Sequence, residues 1–161
     1  MVKKRKPVEK ALTPKAFLEA RVFVSVIRTA DAFTRGGEAV LKPAGLSGTQ
    51  YNVLRILRGA GEGDLACREI GDRLISRDPD ITRLLDRMES RGWIARSREI
   101  KDRRVVKTRI TADGSRILHD LDEPVQNLHR KQLRGLSGKQ LRHLLLLLEQ
   151  VRAQAETQAP E

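Results

Sequence analysis

The sequence is poor in the features that secreted and membrane proteins require. It contains a single cysteine, Cys67, among 161 residues, which excludes an intrachain disulfide and fits a reducing compartment. No run of apolar residues approaches the roughly 20 that are needed to span a bilayer. No apolar stretch of the signal-peptide type follows the basic start of the chain. We therefore expect a cytoplasmic protein.

Catalytic and metal-binding patterns are missing as well. The sequence shows no paired carboxylates, no Ser/His/Asp set, no phosphate-binding loop and no nucleotide-binding glycine pattern. The three histidines, His119, His129 and His143, lack the four-residue spacing and the nearby cysteine pair of a metal site. We predict no metal and no cofactor, and an enzyme is the weakest of the function classes.

Positive charge is what the chain has instead, and it is unevenly distributed. The formal net charge is +11. Residues 66–109 carry 13 basic and eight acidic side chains, whereas residues 110–161 carry seven of each. A basic centre and a neutral C-terminal third indicate one part that binds a polyanion and another that binds a second copy of the chain. Charge alone leaves DNA, RNA and an anionic membrane open as partners.

Apolar periodicity and capping motifs predict a mainly helical chain. From about Pro14 to Lys42 apolar residues recur at three- or four-residue spacing, although residues 22–27, most of which are β-branched, also suit a strand. Ser47 and Ser137 each begin an S-x-x-Q capping box, which predicts a helix start. The last helix carries a leucine stripe wider than one face, as at a subunit interface. The predicted dimerisation residues are Phe17, Phe23, Leu141, Leu144, Leu145, Leu148 and Val151.

Residues 64–111 combine two short helices and a turn with a hairpin. The first helix is expected from about residue 67 to 74, with Asp64 as its cap because Ala66 offers no side-chain acceptor. The second is expected from about residue 78 to 91, with Asp78 as N-cap and Pro79 in its first turn. Its apolar residues share one face of the helix, so Thr82, Arg83 and Arg87 lie on the opposite face.

A helix of this kind suits the major groove of DNA, although in isolation it would equally fit an ordinary amphipathic surface helix. Two alternating segments between about residues 93 and 110 predict a β-hairpin, and its tip bears Lys101, Arg103 and Arg104. A hairpin wing with arginine at its tip can reach the narrower minor groove, where negative potential is concentrated.

Residues 81–114 resemble the recognition helix and wing of the MarR (multiple antibiotic resistance regulator) family. They read ITRLLDRMESRGWIARSREIKDRRVVKTRITADG. The matching positions are Thr82, Arg83, Leu84, Asp86, Arg87, Arg91, Gly92, Arg96, Asp102, Arg104, Thr111 and Gly114. Looser similarity extends upstream over residues 45–54, and the order of helices fits from about residue 15 to 155.

The resemblance implies a mainly α fold with a small β-wing, in which a winged helix-turn-helix domain is flanked by N- and C-terminal dimerisation helices. It also implies a ligand-responsive repressor that binds a pseudo-palindromic double-stranded DNA operator as a homodimer. Asp102 would orient Arg104, and Arg104 would enter the minor groove. The implied DNA-binding residues are Arg77, Asp80, Thr82, Arg83, Arg87, Arg96, Lys101, Asp102, Arg103 and Arg104. Members of the family often bind a small aromatic or phenolic effector, for which the candidates here are Arg21, Arg28, Arg55 and His143.

Two residues in this region need separate comment. Asp80 near a groove would be repelled by phosphate unless it accepts from a cytosine amine or pairs with Arg77 or Arg83. Cys67 stands at a helix start beside Arg68, which could favour a reactive thiolate, but an incidental thiol is the preferred interpretation.

The predicted organisation has five parts. These are a basic arm over residues 1–13, a dimerisation helix within 14–45, the DNA-binding region over 46–111, dimerisation helices over 112–156 and a tail over 157–161. The alternative function is a non-specific architectural DNA- or RNA-binding protein that uses the same basic surface without reading sequence.

Overall fold

The computed structural model describes residues 18–61, 63–76, 80–98 and 105–158. The chain divides into two compact units, one that ends at Gly36 and one that begins at Gly37. The predicted arm, Phe17, Arg77 and the wing-tip residues Lys101, Asp102, Arg103 and Arg104 lie outside the described residues.

The first helix, α1, spans Leu18–Leu41. Residues 22–27 are helical, so the apolar periodicity prevails over the strand preference of their β-branched side chains. In the first unit the helix leaves Phe23 and Ile27 more than half exposed. In the second unit its last residue, Leu41, is buried. A 3-10 turn follows over Lys42–Ala44 and closes on Gly45, whose φ of 68° favours glycine.

Both predicted capping boxes are present. Ser47 opens α2, Gly48–Gly59, and its hydroxyl accepts from the Gln50 backbone N–H at 3.2 Å, while the Gln50 side chain accepts from the Ser47 N–H at 2.9 Å. Ser137 opens α6, Gly138–Thr157, in the same way. Because each box satisfies N–H groups that a helix start would leave unpaired, both helices begin where the sequence predicts.

Between α2 and the C-terminal helices lie two short helices and a small sheet. The elements are β1 (Leu65–Ala66), α3 (Cys67–Arg73), α4 (Ile81–Ser90), β2 (Ile94–Arg98) and β3 (Val106–Ile110). The sheet is antiparallel with the order β1-β3-β2. β2 and β3 are the two strands of the predicted hairpin, and their register pairs Ile94 with Ile110 and Arg98 with Val106. The two-residue strand β1 was not predicted.

Two predicted caps are wrong. Asp80, not Asp78, is the N-cap of α4, so this helix begins at Ile81. Ala66, not Asp64, is the N-cap of α3. Ala66 has no side chain that could accept from the first turn of α3, and only the reciprocal bond of a capping box is present, in which the Glu69 carboxylate accepts from the Ala66 N–H at 2.6 Å. That bond is the main reason why the pKa of Glu69 is lowered, with Lys107 adding to the effect.

The helix α5, Ala112–Leu133, follows directly on β3. Thr111 is its N-cap and its hydroxyl accepts from the Gly114 N–H at 3.1 Å. Leu118, Leu121 and Val125 of α5 enter the core of the second unit. The other buried apolar residues of that core are Leu41, Leu46, Val53, Leu54, Leu57, Leu65, Ile70, Leu84, Leu85, Met88, Trp93 and Ile94.

An ion pair also joins α2 to α5. The guanidinium of Arg58 binds both carboxylate oxygens of Asp122, at 2.9 and 2.7 Å, and about a third of each side chain is exposed. Hydrogen bonding to Arg58 lowers the pKa of Asp122 below its usual range, and the pKa of Arg58 is raised. The fork geometry orients both charges and makes this pair stronger than an ordinary surface pair.

We expect Arg58→Met to lower the free energy of unfolding by about 1 kcal/mol at pH 7. A carboxylate with a lowered folded-state pKa stabilises the protein above its unfolded-state pKa of about 4 and ceases to do so as the pH falls through the folded-state value. The difference from wild type should therefore shrink below about pH 4. Urea unfolding at several pH values measures it. Arg116→Met, which removes the exposed pair with Asp113, is the control and should have a smaller effect at every pH.

Candidate nucleic-acid interface

One face of α4 is anchored in the core and the opposite face is polar. Leu84, Leu85 and Met88 are at most 2% exposed, which is the face that the periodicity predicts. Thr82, Arg83 and Arg87 are exposed. The helix is therefore seated by its apolar side and presents two guanidinium groups and a hydroxyl on the other. Gly92, with a φ of 71°, ends it as predicted.

Asp80 is engaged with the first turn of α4. Its carboxylate accepts from the Arg83 backbone N–H at 3.3 Å, and Nε of Arg83 lies 3.2 Å from its other oxygen. One of the two pairings predicted for Asp80 is thus present. The contact orients the Arg83 side chain through its Nε group, while 79% of that side chain remains exposed.

Arg96, on β2, lies between two carboxylates of α4. Its Nη2 is 2.6 Å from Oδ1 of Asp86 and 2.6 Å from Oε2 of Glu89. Its Nε donates to the same Glu89 oxygen at 2.8 Å, and its backbone N–H donates to the other at 3.1 Å. Only 22% of the Arg96 side chain is exposed. Hydrogen bonding to Glu89, and secondarily to Asp86, raises the pKa of Arg96.

Neighbouring elements hold the two motif helices in place. The side chain of Asn52, on α2, accepts from the backbone N–H of Ile75 at 2.9 Å, which fixes the turn that follows α3. Lys107 of β3 lies 3.4 Å from the Glu69 carboxylate of α3. Neither Asn52 nor Glu89 was predicted from the sequence to have a functional role. A polar residue at the edge of a helix is too common a pattern to identify such contacts.

A cavity of about 340 Å³ lies between α3, α4 and the wing strands. Cys67, Thr82, Arg96 and Thr108 are among the residues that line it. The half-buried Cys67 is a free thiol. Of the residues considered for the DNA interface, Thr82 and Arg96 therefore come together at one concave surface.

The predicted effector residues do not line this cavity. Arg21 and Arg28 are exposed on α1 in the first unit. In the second unit His143 is exposed on α6. Arg55 lies over the ring of Tyr51, 5.9 Å from its centroid, and Nη1 donates to the tyrosine hydroxyl at 3.1 Å.

The predicted dimerisation residues of α6 form an uncovered apolar surface. Leu144, Leu145, Leu148 and Val151 are between 37% and 57% exposed, and α6 contains no buried residue. Leu141 is half-buried. On α1, Phe23 is 67% exposed. Isolated exposed leucines are ordinary, but a contiguous exposed row of this kind is typical of an interaction surface.

The described ranges contain neither a candidate metal site nor a candidate membrane span. They contain no group of three or more His, Cys, Asp or Glu side chains that could hold a metal ion. None of their helices is long and apolar enough to cross a membrane.

The sequence is similar to that of known transcriptional regulators. The family model described as "MarR family" matches residues 46–106. The multiple antibiotic resistance protein MarR of Salmonella typhimurium is 31% identical over 112 residues, which are 69% of this chain and 76% of the relative. The HTH-type transcriptional repressor IacR of Pseudomonas putida is 29% identical over 135 residues, 84% of this chain and 80% of the relative.

Solved structures agree with these relatives. A MarR transcription factor from Planctomyces limnophilus is 38% identical, covers 84% of this chain and 98% of its own length, and has a TM-score of 0.66. A mutant MarR from E. coli, complexed with operator DNA, is 27% identical, covers 86% and 99%, and has a TM-score of 0.74. The protein belongs to the MarR family of winged helix-turn-helix transcriptional regulators.

Proposed function

We propose that the protein is a sequence-specific double-stranded DNA-binding repressor that acts as a homodimer on a pseudo-palindromic operator. The observation that carries the proposal is the two-sided character of α4. Its apolar face is immobilised in the core, while Thr82, Arg83 and Arg87 stand exposed on the other side. Arginine can bind guanine or phosphate with two parallel hydrogen bonds, and threonine can bind a base edge or a thymine methyl group.

The wing supplies the second part of the proposed interface. β2 and β3 lead toward residues 99–104 as an antiparallel pair. By resemblance we assign Asp102 to orient Arg104, and Arg104 to enter the minor groove beside the site of α4. Lys101 and Arg103 are assigned to the neighbouring phosphates, as is Arg77 before α4. These contacts would fix the register of the protein on the duplex, and α4 would read the sequence.

Dimerisation follows from the apolar surface of α6. A single chain leaves its leucine row exposed to water, and the closure of two identical faces on each other removes both from water at once. A dimer related by a two-fold axis would present two copies of α4 to half-sites about one helical turn apart. The P. putida relative is a transcriptional repressor, which supports the proposed sign of regulation, and the E. coli neighbour is bound to operator DNA, which supports the proposed target.

Response to a small aromatic or phenolic effector is part of the same proposal, with Arg21, Arg28, Arg55 and His143 as its candidate residues. The three arginines carry a positive charge that would attract an anionic ring substituent, and the imidazole of His143 could donate a hydrogen bond to it. The proposal for these four residues rests on the family resemblance.

Competition binding tests the function. Fragments selected from the genome by the protein should bind at least about 1,000-fold more tightly than random duplex at the same salt concentration. Affinity should fall steeply between 50 and 200 mM salt, by about 1,000-fold or more for six to ten phosphate contacts, because condensed counterions are released on binding. If unlabelled random duplex competes as well as the selected fragment, a non-specific architectural role replaces the regulator.

A further inference from the structure

The contacts of Arg96 make a mechanical link between the wing and α4. Four hydrogen bonds and ion pairs run from this one residue to Asp86 and Glu89, and none exceeds 3.1 Å. Its strand, β2, is paired with β3 along five residues. Because β3 is hydrogen-bonded to β2 along this length, contacts that fix β2 on α4 also fix the direction of β3.

The same contacts occupy the charge of Arg96. The guanidinium has five N–H donors in a rigid fork, and its Nε and Nη2 groups are directed at carboxylate oxygens. With 22% of its side chain exposed, the group has little surface left for a phosphate. Asp86, by contrast, is about half exposed on α4, where an uncompensated carboxylate would repel a duplex.

We infer that Arg96 is a positioning residue, which fixes the wing against α4 and compensates Asp86 and Glu89, and that it does not contact DNA directly. This inference rests on the proposed function and revises the direct role that the family resemblance implied for Arg96. It assigns DNA contact to the exposed arginines of α4 and makes the angle between β2 and α4 depend on the ion pairs of Arg96 with Asp86 and Glu89.

Amide hydrogen exchange on the DNA-free protein tests the link without reference to DNA. The variant is Arg96→Met, which keeps the apolar stem of the side chain. We expect the amides of residues 94–98 and 106–110 to exchange at least fivefold faster than in wild type, because the wing opens locally when its anchor is lost. Arg98→Met is the matched control, since it removes a guanidinium from an exposed position on the same strand, and should change exchange less than twofold. Equal exchange in the two variants would overturn the inference.

A binding cycle then separates positioning from contact. In the wild-type background Arg96→Met should weaken operator binding at least tenfold. In the background Asp86→Asn/Glu89→Gln, where there is no anionic partner left to compensate, the same substitution should cost less than threefold. An equal loss in both backgrounds, together with a salt slope reduced by about one, identifies a phosphate contact and contradicts the inference. If wild type shows no preference over random duplex, the proposed function fails while the exchange result still decides on the link.

Discussion

The double substitution Leu145→Glu/Leu148→Glu is expected to convert the proposed dimer into a monomer and to weaken operator binding at least about 100-fold. The two leucines lie three residues apart on α6, so they share a face, and they are 55% and 38% exposed in the single chain. In a two-fold interface each protomer contributes both substitutions, so four carboxylates would have to be buried without partners. Central interface residues commonly contribute about 2 kcal/mol each, and uncompensated burial of charge costs more.

Sedimentation or light scattering at micromolar concentration measures the mass, and anisotropy on the operator measures the affinity. The control is Gln150→Glu/Gln154→Glu, which adds the same charge to α6 outside the row formed by Leu144, Leu145, Leu148 and Val151. The control should remain dimeric and bind operator within about threefold of wild type, as is usual for substitutions away from an interface core. A leucine variant that remains dimeric would remove α6 from the interface. A monomeric variant that still binds a full operator as tightly as wild type would refute the need for a dimer.

Local signals in the sequence were sufficient for most of the helices. A capping box places its two partners three residues apart, so Ser47 and Gln50 predict the start of α2 without any knowledge of the fold. The apolar face of α4 was predictable for the same reason, because Leu84, Leu85 and Met88 lie within two turns of one another. Caps were less certain where several acceptors compete. The sequence before α4 offers both Asp78 and Asp80, and Asp80 is the N-cap because the helix begins at Ile81.

Contacts between distant segments could not be predicted in this way. The strand β1 has only two residues, and it exists because Leu65 pairs with Thr108, 43 positions later in the chain. The cluster around Arg96 has the same character. The family resemblance identified Arg96 as a residue of interest, but its orientation toward Asp86 and Glu89 depends on how β2 crosses α4. The sequence therefore drew attention to Arg96, but the contacts that Arg96 makes could be found only from the fold.

Gly114→Ala is expected to destabilise the protein by about 3 kcal/mol, near the upper end of what overpacking usually costs. Gly114 is the third residue of α5, and a Cβ there would lie 2.2 Å from the carbonyl oxygen of Trp93 and 3.0 Å from Cγ1 of Ile110. The clash is with a backbone atom, the Trp93 carbonyl oxygen. This atom cannot move away easily, because it accepts a hydrogen bond from the Thr111 N–H at 3.1 Å. Relief of the clash would therefore weaken the contact between Trp93, which precedes β2, and the start of α5.

Thermal unfolding at a fixed protein concentration measures this effect, and a fall in Tm of roughly 6 to 12 °C is expected for a chain of this length. Gly59→Ala is the matched control, since Gly59 is the last residue of α2 and a Cβ there meets no atom within 4 Å. Alanine at such a helical position should leave stability unchanged or raise it by up to about 1 kcal/mol. If both alanine variants melt together with wild type, the close approach of α5 to Trp93 does not constrain the fold. If only Gly114→Ala melts early, Gly114 is required by packing against Trp93 at the start of the wing, independently of any contact with DNA.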